Sequence, residues 1–248
     1  MPKNRMQLDR SPESATAHNL GSALGDTTAA IQDYIKVIFK LQDSGVDVTN
    51  SAIAEKMNVA AASASGMIKK LVKAGLATHS PYQGVALTDH GRRVALEMIR
   101  HHRLLELYLM KALGYTWDEV DAEAERLEHV ISEEFEARIS AFLGDPTVDP
   151  HGDPIPTKDG HFINVRYEPL TAIAPGQTVR IRRVKDSDPD LLRYLGKLGM
   201  YPDVVVEVLE KAPFDGPLMI RVSAAEHSLG AQVTDSVFVE PIPQEAVR

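Results

Sequence analysis

Glu125, Glu128 and His129 are the residues of this 248-residue chain whose types and spacing point most directly to chemistry. Read on one continuous helix, steps of three and four residues place all three side chains on one face, which suits coordination of a metal cation. The same spacing also suits a solvated acidic face, since Glu123, Glu133, Glu134 and Glu136 stand nearby. His102 and Glu106, four apart on the preceding helix, form a second potential ligand pair, and Asp121 lies one turn before Glu125. The chain has no cysteine, which excludes disulfides, thiolate zinc sites, iron–sulfur clusters and thiol nucleophiles and fits a reducing compartment.

These residues must be held by a mainly helical frame. Met1 to about Asp26 is polar and aperiodic and reads as a flexible arm. A first helix starts near Thr27 or Thr28, either able to cap it, and carries Ile31, Tyr34, Ile35, Ile38 and Phe39 inward until Ser44-Gly45. Ala52 to Met57, capped by Thr49 or Asn50, and Ala61 to Ala74, stopped by Gly75, form a helix-turn-helix. Leu76 to Leu87 reads as a hairpin wing around Pro81-Tyr82-Gln83-Gly84.

A long helix capped by Thr88 then runs to Gly114, and another runs from about Trp117 to Leu143-Gly144 with a strong apolar stripe. Five prolines in the stretch from Gly144 through Pro169 mark a connector. Strands at Thr178–Val184, Val204–Leu209, Leu218–Val222 and Ser236–Val239, with one short helix over Asp190–Leu198, predict a small β domain.

The net charge of −8 argues against nucleic acid only until its distribution is considered. From Val48 to Arg93, Lys56, Lys69, Lys70, Lys73, Arg92 and Arg93 oppose only Glu55 and Asp89, so a basic segment sits inside an acidic chain. Lysines on the second helix and near the wing suit phosphates. The small Ala60, Ala62, Ser63 and Gly66 would let that helix approach base edges closely. The blander alternative is a winged helix that serves as a docking or dimerisation module. Met1 to Arg10 offers no hydrophobic run for a signal peptide, no stretch approaches the length needed to span a membrane, and the expected location is the cytoplasm.

In order along the chain, Gln32-Asp33-Tyr34-Ile35, Ala74-Gly75-Leu76, Leu87-Thr88-Asp89-His90-Gly91, His102-Arg103-Leu104-Leu105-Glu106, Glu125-Arg126-Leu127-Glu128-His129-Val130 and Asp149 to Pro156 form a specific combination. With it the chain resembles the metal-dependent repressors related to the diphtheria toxin repressor and the manganese transport regulator. The resemblance implies a mainly α chain with a small β domain. Its parts are an arm over 1–26, a winged helix-turn-helix DNA-binding domain over 27–97, and a helical metal-binding and dimerisation domain over 98–146. A proline-rich linker over 147–169 and an SH3-like barrel over 170–242 complete it.

It also implies a metal site joining Asp33 to Glu125, Glu128 and His129, and a second site using His102, Glu106, Asp121 and Asp188. Iron-type members have methionine at the Asp33 position and cysteine at the Glu125 position. Carboxylates at both favour Mn²⁺ by ligand type, with Fe²⁺ as the alternative. Manganese-type members often carry a further carboxylate where Lys36 stands, and its ammonium would repel a second, bridged cation. Asp188 matches one further family ligand position, but Leu191 stands where the other would be.

The expected function is a Mn²⁺-activated DNA-binding regulator, a homodimer on double-stranded operator DNA, repressing metal-uptake genes. The DNA-contacting set is Thr49, Asn50, Ala60, Ala62, Ser63, Ser65, Gly66, Lys69, Lys70, Lys73, Tyr82 and Gln83. An enzyme is not expected, because the sequence lacks a cofactor fingerprint, a phosphate-binding glycine loop and a nucleophile arrangement. No small organic substrate is expected either.

Overall fold

A computed structural model describes residues 27–80, 84–163, 165–214 and 216–242. The expected arm over 1–26 and the wing residues Tyr82 and Gln83 lie outside the described residues. Helices α1 (Ala29–Asp43), α2 (Asn50–Lys56) and α3 (Ala61–Lys73), with the antiparallel hairpin β1 (Ala77–Ser80) and β2 (Gly84–Leu87), form the winged helix. Its core is Ile35, Ile38 and Phe39 from α1 against Ile53, Ile68, Leu71, Leu76 and Val85. Thr49 caps α2 by accepting from the Ala52 N–H at 3.1 Å. Thr28 stands at the N-cap of α1 without a side-chain cap bond, and Thr27 instead accepts from the Gln32 amide at 3.0 Å.

The 25-residue α4 (Asp89–Leu113) ties the winged helix to the helical core. At roughly 1.5 Å per residue it is about 37 Å long, and it crosses the expected boundary at 97/98 without a break. Thr88 opens it, accepting from the Gly91 N–H while its own hydroxyl donates to Gly75 O. Gly114 closes it in the left-handed conformation, at φ 76°.

The single helix expected from Trp117 to Leu143 is two: α5 (Val120–Leu127) and α6 (Glu133–Phe142). Ser132 accepts from the Phe135 N–H at 3.2 Å, and Glu133, Glu134 and Glu136 crowd the positive end of the new helix, so a second start outcompetes continuation. His129 therefore sits in the turn between helices, Glu128 caps α5, and the two do not share one unbroken helix with Glu125. Trp117 belongs to no helix. Its buried ring packs against Tyr201, centroids 4.7 Å apart, and anchors the β domain.

That domain is one six-stranded antiparallel sheet in the order β3-β8-β4-β5-β6-β7, forming the SH3-like barrel. Its strands are β3 (Glu168–Pro169), β4 (Thr178–Val184), β5 (Val205–Lys211), β6 (Leu218–Val222), β7 (Ala225–Leu229) and β8 (Val237–Pro241). α7 (Pro189–Lys197) and the one-turn α8 (Ala231–Thr234) accompany it. β3 and β7 are absent from the sequence reading because both are short edge strands with little apolar alternation. The proline-rich connector is firmly seated: His151 O accepts from the Val184 N–H at 2.9 Å, and Gly152, at φ +89°, lies so close to β4 that an added Cβ would fall 1.9 Å from Arg182 O.

Candidate metal centre

Asp33 from α1, Glu125 from α5, Glu128 at its cap and His129 in the following turn each offer a donor atom within 4.8 Å of the others. The imidazole is oriented by its far nitrogen. His129 Nδ1 lies 2.7 Å from Gln32 Oε1, so Nδ1 carries the hydrogen and Nε2 presents a lone pair. Nε2 lies 3.0 Å from Asp33 Oδ1, which is buried and has no hydrogen-bond partner. A lone pair facing a carboxylate needs a proton or a cation between them. Three carboxylates and one imidazole so disposed fit a divalent cation.

Lys36 stands inside this set. Its buried ammonium donates to Glu125 Oε2 at 2.7 Å and Glu128 Oε1 at 2.5 Å. Burial opposes its charge, but the two carboxylates more than compensate and hold its pKa above the usual lysine value. Glu128 is buried too. Burial would raise its pKa, but a hydrogen bond from His102 Nδ1 at 2.5 Å and the charges of His102 and Lys36 hold it low.

His102 links this set to a second. Its Nε2 has no hydrogen-bond partner and faces Glu106 Oε1 at 3.5 Å and Asp121 Oδ1 at 3.3 Å. Asp188, the fourth expected member, is elsewhere: it is exposed and caps α7, accepting from the Asp190 and Leu191 N–H groups at 2.9 and 3.3 Å. A Ser-Asp-Pro start to a helix is a capping signal, and that local demand uses the side chain.

A third set escaped the sequence reading. Glu106, Asp149 and His151, all buried, bring donor atoms within 4.8 Å. His151 Nε2 donates to Trp117 O at 2.7 Å, leaving the unpartnered Nδ1 facing Glu106 at 3.7 Å. Burial, with Glu106 and Asp153 nearby, pushes Asp149 up to about 8. The signal was the Asp149-Pro150-His151 spacing, hidden in a segment that reads as a linker.

On the winged helix, Ala60, Ala62, Ser63, Gly66, Lys69, Lys70 and Lys73 are exposed on or beside α3. A Cβ at Gly66 would meet only open space. Half-buried Ser65 accepts from the Asn50 amide at 3.1 Å, fastening α2 to α3.

A winged helix joined through acidic and histidine donors to a helical core defines a DNA-binding repressor controlled by a metal ion. Three family models match in succession: the iron-dependent repressor N-terminal DNA-binding domain over 26–85, the iron-dependent repressor metal-binding and dimerisation domain over 88–157, and the FeoA domain over 168–241. The iron-dependent repressor IdeR of Mycobacterium leprae (strain TN) is 30% identical over 232 residues, covering 88% of this chain and 100% of that protein. The diphtheria toxin repressor of Corynebacterium efficiens is 32% identical over 167 residues, covering 65% of this chain and 71% of that protein. Among solved structures, a manganese-dependent transcriptional repressor in complex with manganese is 42% identical, with TM-score 0.80, covering 86% of this chain and 100% of that one. The manganese regulator SloR is 33% identical, with TM-score 0.69, over 86% and 98% of the two chains.

The chain belongs to the diphtheria toxin repressor family of metal-dependent transcriptional repressors, which are DNA-binding proteins and not enzymes. No helix among the described residues is long and apolar enough to cross a membrane.

Proposed function

We propose that this repressor responds to Mn²⁺ and represses metal-uptake genes, with Asp33, Glu125, Glu128 and His129 holding the activating ion. The observation that carries this reading is the donor set itself, three carboxylates and one oriented imidazole with no sulfur. Hard oxygen donors suit Mn²⁺, whereas thiolate and thioether ligands suit softer metals. The ion supplies positive charge that ties Asp33 on α1 to the helices of the core. The residues do the rest: Gln32 fixes the His129 ring, His102 orients Glu128, and α1 carries the constraint into the packed core beneath α3. Metal binding then favours one placement of the recognition helix, and operator DNA must raise metal affinity by the same factor.

A second ion belongs around Glu106, with His102 and Asp121 on one side and Asp149 and His151 on the other. In this reading Lys69, Lys70 and Lys73 neutralise phosphates while Ala60, Ala62, Ser63 and Gly66 face the groove. Thr49, Asn50 and Ser65 hold the helix pair in register beside them. Phe135 and Phe142, exposed and edge-on to Tyr108, offer an apolar face for the second copy.

An iron-responsive alternative is supported by the mycobacterial relatives and the family models, both named for iron-dependent repressors. Operator binding by the full-length protein, measured anaerobically by fluorescence anisotropy at fixed salt and matched free Mn²⁺ or Fe²⁺, separates the two. Activation by Mn²⁺ at the lower free concentration is expected. A protein that binds operator with Fe²⁺ but never with Mn²⁺ is iron-responsive, and one indifferent to chelator senses no metal.

A further inference from the structure

We propose that Glu97, His101 and Glu133 form an additional divalent-cation site, on the backbone side of Glu128, away from the donors that face α1. Glu97 and His101 stand four apart on one face of α4, and Glu133 is the first residue of α6. Their donor atoms lie within 4.8 Å of one another. Bonds of about 2.0 to 2.2 Å to a shared ion would draw these atoms closer together.

Burial separates this cluster from an ordinary acidic patch. Glu97 and His101 are each 1% exposed. Both Glu97 carboxylate oxygens, His101 Nε2 and Glu133 Oε2 are buried without a hydrogen-bond partner. His101 Nδ1 lies 3.1 Å from Glu128 O, and a carbonyl only accepts, so Nδ1 holds the hydrogen and Nε2 turns a lone pair on the carboxylates. A backbone carbonyl orienting the far nitrogen is the usual support of a metal-binding histidine.

Neighbouring cations do not meet the need. Arg100 is committed to Glu136 Oε1 at 2.5 Å, Pro156 O at 2.9 Å and Ser140 Oγ at 3.2 Å. Lys158, half-exposed, lies 3.8 Å from Glu133, and its charge reaches Glu97 too weakly to offset burial. Glu136 faces His101 Nε2 at 3.6 Å and adds negative charge. A buried carboxylate without a partner is costly and is relieved by a proton or a cation. Burial, followed by Glu133 and Glu136, pushes Glu97 up to about 9, so a proton is the competitor.

Two carboxylates and one imidazole select a first-row divalent ion such as Mn²⁺ or Zn²⁺; Ca²⁺ and Mg²⁺ prefer oxygen alone. Such an ion would pin the start of α6 to α4. It would thereby brace the five residues Glu128 to Ser132, two of which face α1 as donors.

The test is metal counting on the full-length protein, stripped with chelator and dialysed against Mn²⁺ or Zn²⁺. Glu97→Gln and Glu133→Gln should each lose one bound ion per chain relative to wild type, while Glu128→Ala loses a different one and keeps this one. Zn-edge anomalous diffraction from wild-type crystals should show a peak between the three side chains, a readout independent of how the variants fold. An unchanged metal count in both Gln variants, or no anomalous peak there at saturating Zn²⁺, overturns the site in favour of protonated Glu97.

Discussion

The cluster facing α1 and the network beneath α4 and α6 are built from the same residue types and differ in what they join. Asp33 and Glu125 are 31% and 49% exposed at the side chain, and their donors come from two separately packed cores. Arg100 and Glu136 are 10% and 2% exposed and lie wholly inside the helical core. The first cluster spans two cores and the second lies within one, so only the first is placed to act as a switch between them. Lys36 sharpens the contrast, because it is a tethered cation already seated where the metal is expected, so Glu125 and Glu128 have a cationic partner without metal while Asp33 Oδ1 has none.

The largest expected effect lies on the fixed side. Glu136→Ala leaves the Arg100 guanidinium buried with only Pro156 O and Ser140 as partners, and breaking a buried pair in this way costs about 3 to 5 kcal/mol. Denaturant unfolding of the chelated protein should show the loss. A change within error would mean that water enters this core and that the contrast with the α1 cluster is one of degree.

On the switching side, Glu128→Ala removes the carboxylate shared by His102 and Lys36 while its backbone carbonyl still serves His101. Because Glu128 is itself buried against Lys36, unfolding stability without metal should fall as well, cushioned by the Glu125 carboxylate that Lys36 retains. Mn²⁺-dependent tightening on operator, on the order of 100-fold within the usual coupling range, should vanish. Metal-dependent binding that persists at wild-type strength would remove Glu128 from the switch.

How far these two regions were legible in the sequence follows the same division. The helix-turn-helix could be read because Thr49, Thr88 and Gly75 are local signals and Ile35, Ile38 and Phe39 repeat at helical spacing. The α1 cluster could be read because Glu125, Glu128 and His129 are close in sequence, although the break at Ser132 was hidden by Val130 and Ile131 continuing the apolar spacing. The buried network could not. Glu97, His101, Asp149 and His151 each look like an unremarkable helix or linker residue until folding buries them beside one another. Lys36 was legible as a departure from the family pattern, but its seat between Glu125 and Glu128 depends on how α1 docks on α5.

That seat gives a smaller prediction of opposite sign. Lys36→Met keeps the length and apolar stem while removing the ammonium that competes for Glu125 and Glu128. Two like charges about 4 Å apart repel by roughly 4 kcal/mol at an effective dielectric of 20. Part of this is already relieved when the lysine moves aside, so about tenfold tighter Mn²⁺ binding, near 1.4 kcal/mol, is the expected outcome by isothermal titration. Weaker binding would show that Lys36 positions the carboxylates, and the cluster would then be closer in kind to the fixed core.

The smallest effect falls on the reading head, far from either cluster. Lys69, Lys70 and Lys73 project from α3 into solvent, so truncating one should leave folding and metal binding alone. Each neutralised phosphate contributes about 0.9 to the slope of log affinity against log salt. Lys70→Ala should therefore flatten that slope by about 0.9, weakening operator and unrelated DNA alike. A loss confined to the operator would instead place Lys70 on a base edge, and an unchanged slope would take it off the DNA altogether. Because metal coupling and phosphate neutralisation act through separate groups, Glu128→Ala and Lys70→Ala should add in free energy when combined. A non-additive result would mean that the α1 cluster positions Lys70 itself, and the boundary between switch and reading head would have to be redrawn.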